Sequence, residues 1–167
     1  MTLSKFAQAT LVATALASTT MMGVLAPAQA ADELNVVPGY SIAGAPLALH
    51  GYDPVAYFTQ AQPVRGSDAL VHIHEGAAYR FASQAHLDSF KQDPERYAPQ
   101  FGGFCAYGVS VGKKFDGDPR LWKIEDGKLY LNLNEEIYAT FLADLDDSIE
   151  KADDNWQDIE HTAARDL

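Results

Sequence analysis

One thiol and five imidazoles are the groups in this 167-residue chain best suited to metal or redox chemistry. Cys105 lies in the run Phe101-Gly102-Gly103-Phe104-Cys105-Ala106-Tyr107-Gly108. The two glycines allow the backbone to approach a partner or ligand closely. A helical turn over residues 104–108 would put the thiol at the turn's positive end and lower its pKa, with Lys113 and Lys114 nearby to assist. The competing reading is a small buried hydrophobe, which a free cysteine often is. His86 is the second candidate, as a metal ligand or a base beside Cys105, since imidazole and thiolate together suit copper or zinc. Its alternative is a half-buried helix histidine. His50 offers a weaker third contact and otherwise reads as a loop histidine. Tyr52, Asp53, Tyr79 and Ser83 supply polar groups to surround such a site or touch a ligand, and serve equally well as caps and turn anchors.

What is missing bounds the chemistry further. One Cys excludes an internal disulfide framework and every paired-cysteine zinc motif. The sequence has no phosphate loop, HExxH or GxGxxG, so binding is expected before catalysis. With 12 Lys+Arg against 23 Asp+Glu, the formal charge of −11 argues against nucleic acid and anionic membrane surfaces as partners.

Residues 1–30 read as a secretory signal. Lys5 is their only charge, an apolar run follows over residues 6–25, and Ala28-Gln29-Ala30 matches a cleavage box. The run is poor in Leu, Ile and Phe and ends near Pro27, which favours cleavage over retention as a membrane span. Cleavage also removes Met1, Met21 and Met22, leaving Cys105 as the only sulfur of an exported, periplasmic or secreted chain with no membrane span. A Met-rich copper site is then impossible, and two or three ligands are the most a metal could find.

The elements that must position these groups follow from local pattern. Residues 31–48 read as an arm with little periodicity, running over the surface of the core. Asp53-Pro54 starts a helix, with Asp as cap and Pro at its first position. Val71 and Ile73 alternate with His72 and His74 as in a strand, and the return strand is Tyr79-Arg80-Phe81. With Gly76-Ala77 as the turn, His74 faces Tyr79 and His72 faces Phe81; the pair reads as a solvated edge or a metal clamp. Ser83 caps a helix carrying His86, Leu87 and Phe90, and Asp93-Pro94 starts another.

Asp126-Gly127 is a type I′ hairpin pair, which sets Glu125 opposite Lys128, Ile124 opposite Leu129 and Trp122 opposite Leu131. Trp122, Ile124, Leu129, Leu131 and Leu133 then share a core face. Asn134 caps a final amphipathic helix with a stripe at Ile137, Phe141, Leu145, Ile149 and Ala152, interrupted near Asp153-Asp154. Residues 134–167 hold eleven of the 23 acidic residues, enough to form a docking face for a basic protein partner or a weak cation site. The expected fold is α+β: small antiparallel hairpins packed with short helices, plus the C-terminal amphipathic helix. Its divisions are a signal at 1–30, an arm at 31–48, a domain at 49–133 and the acidic helix at 134–167.

Several of these segments together resemble the YHS domain, in its exported single-domain bacterial branch. They are Gly51-Tyr52-Asp53-Pro54-Val55-Ala56-Tyr57-Phe58, Tyr79-Arg80-Phe81-Ala82-Ser83 with His86 and Phe90, and Pro94-Glu95-Arg96-Tyr97-Ala98-Pro99-Gln100. Phe101-Gly102-Gly103-Phe104-Cys105-Ala106 and Asp126-Gly127-Lys128-Leu129-Tyr130-Leu131-Asn132 extend the likeness over residues 49–133. The resemblance implies a small α+β fold and a metal role, because YHS domains accompany metal-transporting ATPases and some multicomponent oxygenases. In the metal-linked forms paired cysteines are the presumed ligands, whereas this chain has Ala82 and Ser83 where a Cys-containing pattern is expected. Some exported relatives carry selenocysteine at the position matching Cys105, which implies reactive chemistry there.

Three functions follow as expectations. The first is a transition-metal module, with copper the first guess, using Cys105, His86 and His50. The second is a thiol redox protein cycling Cys105 against an external thiol. The third is a non-enzymatic module that docks through its acidic helix.

Overall fold

The computed structural model describes residues 32–167. The expected signal at 1–30 lies outside them, and no described helix is long and apolar enough to cross a membrane. The fold is α+β, as expected. Strands β1 (Val36–Ile42), β2 (Ala45–Ala48), β3 (Ser67–His74) and β4 (Ala77–Phe81) form one sheet in the order β1-β2-β4-β3. Its pairs are antiparallel except β2 with β4, which run parallel through Leu47 and Ala78. A second sheet is the hairpin of β5 (Asp118–Glu125) and β6 (Lys128–Asn132). Between and around them lie helices α1 (Pro54–Gln60), α2 (Gln84–Gln92), α3 (Pro94–Tyr97), α4 (Ala106–Ser110), α5 (Glu135–Ala143) and α6 (Leu145–Ile159).

The arm expected at 31–48 is the first departure from expectation. Over residues 36–48 it is no surface arm but a hairpin of the main sheet, with Ala45, Leu47 and Ala48 buried. Pro38 in β1 hides the strand pattern, and the structure tolerates it because β1 is the sheet edge and its register shifts between Val36 and Ser41. The β3–β4 turn is Glu75-Gly76, so His74 pairs with Ala77 and His72 with Tyr79. That register differs by two residues, which keeps each side chain on its expected face. His72 and His74 are not a solvated edge: both pack edge-on against Phe90, at 6.1 and 5.8 Å between ring centroids.

The β5–β6 hairpin has the expected register throughout its turn half, Glu125 with Lys128, Ile124 with Leu129 and Trp122 with Leu131. Its strand β6 is buried on both faces. Leu129 and Leu131 enter a core with Val55, Tyr57, Phe81 and Phe90, while Tyr130 enters a second core with Phe101, Val109, Phe141 and Ile159. Leu133 lies beyond the strand and is exposed, so it leaves the face expected for it. The C-terminal stripe is carried by two helices, not one. The break falls at Asp144, whose extended φ of −141° separates α5 from α6, and α6 runs unbroken through Asp153-Asp154.

Asp53 ties three parts of the first core together. Its side chain is fully buried. Oδ1 accepts from the N–H groups of Val55 and Ala56 at the start of α1, at 2.9 and 3.3 Å. Oδ2 accepts from the Ala82 N–H just past β4 at 2.7 Å and from His86 Nδ1 on α2 at 2.6 Å. A buried carboxylate is tolerable when its lone pairs are satisfied in this way. Removing it takes a side-chain acceptor from four donors at once, and of these only the Ala56 N–H keeps another partner among the described residues, the carbonyl of residue 53. Asp53→Ala is therefore expected to lower the unfolding free energy by about 3–5 kcal/mol, measured from urea midpoints. Ser83→Ala removes one N-cap bond, to the His86 N–H, and should cost only about 1 kcal/mol.

Candidate functional site

The sequence nominates Cys105 and His86 for one site, and the structure gives them separate partners. His86 is bound to Asp53 through Nδ1, and its Nε2 lies 3.3 Å from Thr59 Oγ1. Cys105 is buried completely. Its Sγ accepts from the Gly108 N–H at 3.3 Å, capping α4, and faces Asn132 Oδ1 at 3.7 Å. The helical turn expected after Cys105 is present, but the low thiol pKa expected from it is not. Burial pushes the thiol up, outweighing the N–H groups of Gly108, Leu133 and Tyr107. The thiol is thus a protonated core group at neutral pH, and Asn132 beside it is equally buried.

The glycines before Cys105 have an internal explanation as well. A Cβ on Gly102 would stand 1.7 Å from the Glu33 carbonyl oxygen. Gly102 O accepts from the Asn35 N–H at 2.9 Å. The close partner of this backbone is therefore residues 33–35 of the same chain, not a ligand.

The other nominated residues divide in two. Asp53 and Ser83 are caps, of α1 and α2. Tyr79 is 2% exposed and packs its ring on Phe90, with centroids 5.0 Å apart. His50 and Tyr52, by contrast, meet in a cleft of about 420 Å³ lined also by Arg65, Asp116, Asp118 and Arg120. His50 Nε2 lies 2.8 Å from Asp116 Oδ1, and Asn35 Nδ2 donates to the same oxygen at 2.7 Å. Arg65 donates to the His50 carbonyl at 2.8 Å and lies over the Tyr52 ring, 4.2 Å from its centroid. Arg120 grips Asp118 through Nε and Nη2, at 3.0 and 2.6 Å.

The backbone under this cleft is strained. Leu49, His50 and Gly51 have consecutive φ values of 51°, 49° and 77°. Left-handed conformations cost non-glycine residues on the order of 1 kcal/mol or more, and accumulate where a side chain must be aimed. Here the strain aims His50 across the cleft at Asp116.

Among the described residues, no group of three His, Cys, Asp or Glu side chains is placed to hold a metal ion. Cys105, His86 and His50 are thus not assembled into a ligand set. The cleft residues that sequence reasoning missed are Arg65, Asp116, Asp118 and Arg120. Asp116-Gly117-Asp118-Pro119 is legible as a turn, but its pairing with His50 spans 66 positions and leaves no local signal. No family model, curated protein or solved structure matches the chain.

Two outcomes follow from these environments. The hydrogen bond to Asp116 raises the His50 pKa, helped by the charges of Asp116 and Asp118 and opposed by burial and Arg65. Burial pushes the Asp116 carboxyl up, yet the bonds from His50 and Asn35 outweigh it and hold it low. A raised imidazole pKa stabilises the fold fully below its unfolded value of about 6.5 and ceases to do so as pH climbs through the folded value. NMR titration should place the His50 midpoint above that of a free histidine, and Asp116→Asn should bring it down. Cys105 should resist an aromatic disulfide reagent in native buffer and react at once in denaturant.

Proposed function

We propose that this chain is an exported, YHS-like binding module, and that its site is the cleft of His50, Tyr52, Arg65, Asp116, Asp118 and Arg120. The observation that carries the reading is the strained Leu49–Gly51 turn, which presents His50 to Asp116 at 2.8 Å across an open polar cleft. The size suits a small molecule. Two guanidinium groups, two carboxylates, an imidazole and a phenol face it. A ligand bearing both an anionic and a cationic group meets complementary charge there, its anionic group at Arg65 and its cationic group at Asp116, while Arg120 and Asp118 hold each other. The side chains are held in advance by one another, so little ordering cost falls on binding. The fully buried Cys105 takes no part in this site.

A transition metal, copper first, is the second reading. What favours it is the same His50–Asp116 pair, an imidazole nitrogen and a carboxylate oxygen close enough to share one ion. In that case the metal moves from the Cys105–His86 pair to the cleft, where His50 alone survives from the expected ligand set.

Thermal-shift titration of the purified protein separates the readings. The panel is amino acids, dicarboxylates, inorganic phosphate, Cu(II) and Zn(II). A ligand at a hundredfold excess over its Kd should stabilise by about 2.7 kcal/mol. Stabilisation by a mixed-charge molecule, lost in Arg65→Ala and in His50→Ala, is the expected result. Response to Cu(II) alone, lost in His50→Ala, selects the metal reading. Binding that survives both substitutions but vanishes in Cys105→Ser or His86→Ala would sink the cleft as the site.

A further inference from the structure

A second cleft, of about 360 Å³, lies at the opposite end of the β5–β6 hairpin, between its turn and α6. Six carboxylates line it: Glu125, Asp126, Asp146, Glu150, Asp153 and Asp154. Lys128 is the one resident cation among the lining residues. Of the six, only Glu125 is engaged in an ion pair among the described residues, with Lys123 at 2.9 Å. Acidity on this scale at a helix face is commonly no more than solvation, and by itself identifies no ligand.

Tyr130 supplies the independent observation. It is 2% exposed, its ring packs on Phe141 and Phe101 in the second core, and it reaches the groove as a lining residue. Buried phenols ordinarily find a hydrogen-bond partner. Tyr57 and Tyr138 do so, donating to the carbonyls of Pro119 and Trp122. Tyr130 Oη makes no hydrogen bond among the described residues and is not shut away from solvent, so its free hydrogen-bonding capacity faces the groove; the charges that bear on it are those of Asp153, Asp126 and Glu125. Burial first, and then these three carboxylates, push its pKa up to about 12. It is a neutral, unpartnered hydroxyl at the floor of an anionic groove.

The placement of the carboxylates selects the ligand. No three converge closely enough to hold one metal ion among the described residues. A compact divalent cation would find at most a pair of ligands here, whereas it needs six or more oxygens around one point. An extended cation with charges spaced along a chain matches the splayed arrangement. The half-buried Ile149 and the Tyr130 ring offer apolar contact to methylene groups between those charges. We propose that the groove between the β5–β6 turn and α6 binds a linear aliphatic polyamine, with ammonium groups on the carboxylates and one N–H donated to Tyr130 Oη.

Isothermal titration of the purified protein with spermidine tests this. Saturable binding of one molecule per chain is expected, weakening as salt rises. Asp153→Asn should weaken it about threefold and Tyr130→Phe about tenfold, with unchanged far-UV circular dichroism. Asp158→Asn makes the same charge change on the same helix outside the groove and should leave the affinity unaltered. Equal losses from Asp153→Asn and Asp158→Asn would show attraction to net charge alone and overturn the site. Magnesium binding as tightly as spermidine would overturn the ligand class. A lysine-rich peptide that binds more tightly than spermidine and depends on Tyr130 would assign the groove to a protein partner instead.

Discussion

The first core hangs on one buried carboxylate. Asp53 satisfies the start of α1, the exit of β4 and the ring of His86 on α2 with two oxygens, none of it in contact with water. Without it three elements would end in unpaired donors at the same point, and hydrophobic contact has no directional means of arranging them. Tyr57, Phe81 and Phe90 can close on one another because the strand and helices that carry them are already pinned. His86 belongs to this structural node. Its imidazole is held by the carboxylate that also caps α1, so recruiting it as a metal ligand or catalytic base would disturb a cap that the fold uses.

The second constraint is β6. A strand in a small two-stranded sheet usually keeps one face wet, yet Leu129, Tyr130 and Leu131 are all buried. The main sheet with α1 and α2 covers one side, and α4, α5 and α6 cover the other. Lys114 closes the second side. Its ammonium is buried, and burial lowers its pKa. It donates to the carbonyls of Asp32, Glu160 and Thr162 and lies 5.3 and 5.0 Å from the ring centroids of Phe104 and Trp156. The lysine expected to sharpen the Cys105 thiol instead joins the N-terminal segment to the end of α6.

Legibility in the sequence follows the range of each interaction. Asp53, Ser83, Asp93 and Asn134 all cap the helices expected of them, because a cap binds an N–H two or three residues away. Asp126-Gly127 sets its hairpin for the same reason. The His50–Asp116 pair, the partners of Asp53 on β4 and α2, and the seat of residues 33–35 on Gly102 all join distant positions, and composition carries no trace of them. Cys105 fell between these cases. Its helix-capping position is readable, but the sign of its pKa shift depends on how deeply the fold buries it, and burial wins over the N–H groups of Gly108, Leu133 and Tyr107. Of the nominated site residues, His50 and Tyr52 reach an open cleft lined with charge, while Asp53, Ser83 and His86 serve the fold.

Both proposed sites are therefore at the rims of the cores, and one rigid element carries them. Asp118 and Arg120 begin β5 on the mixed-charge cleft; Glu125 ends it, with Asp126 in the turn beyond, on the acidic groove. Seven residue-to-residue steps of strand take the chain from Asp118 to Glu125, roughly 23 Å at the usual rise. The screening length at physiological salt is about 8 Å, so charge brought to one end is scarcely felt at the other. Any coupling between the sites would have to pass through β6, where Leu131 and Tyr130 are packed from both sides and any displacement would cost packing in one core or the other. A hairpin held this firmly is suited to presenting two independent sites and poorly suited to relaying a signal between them.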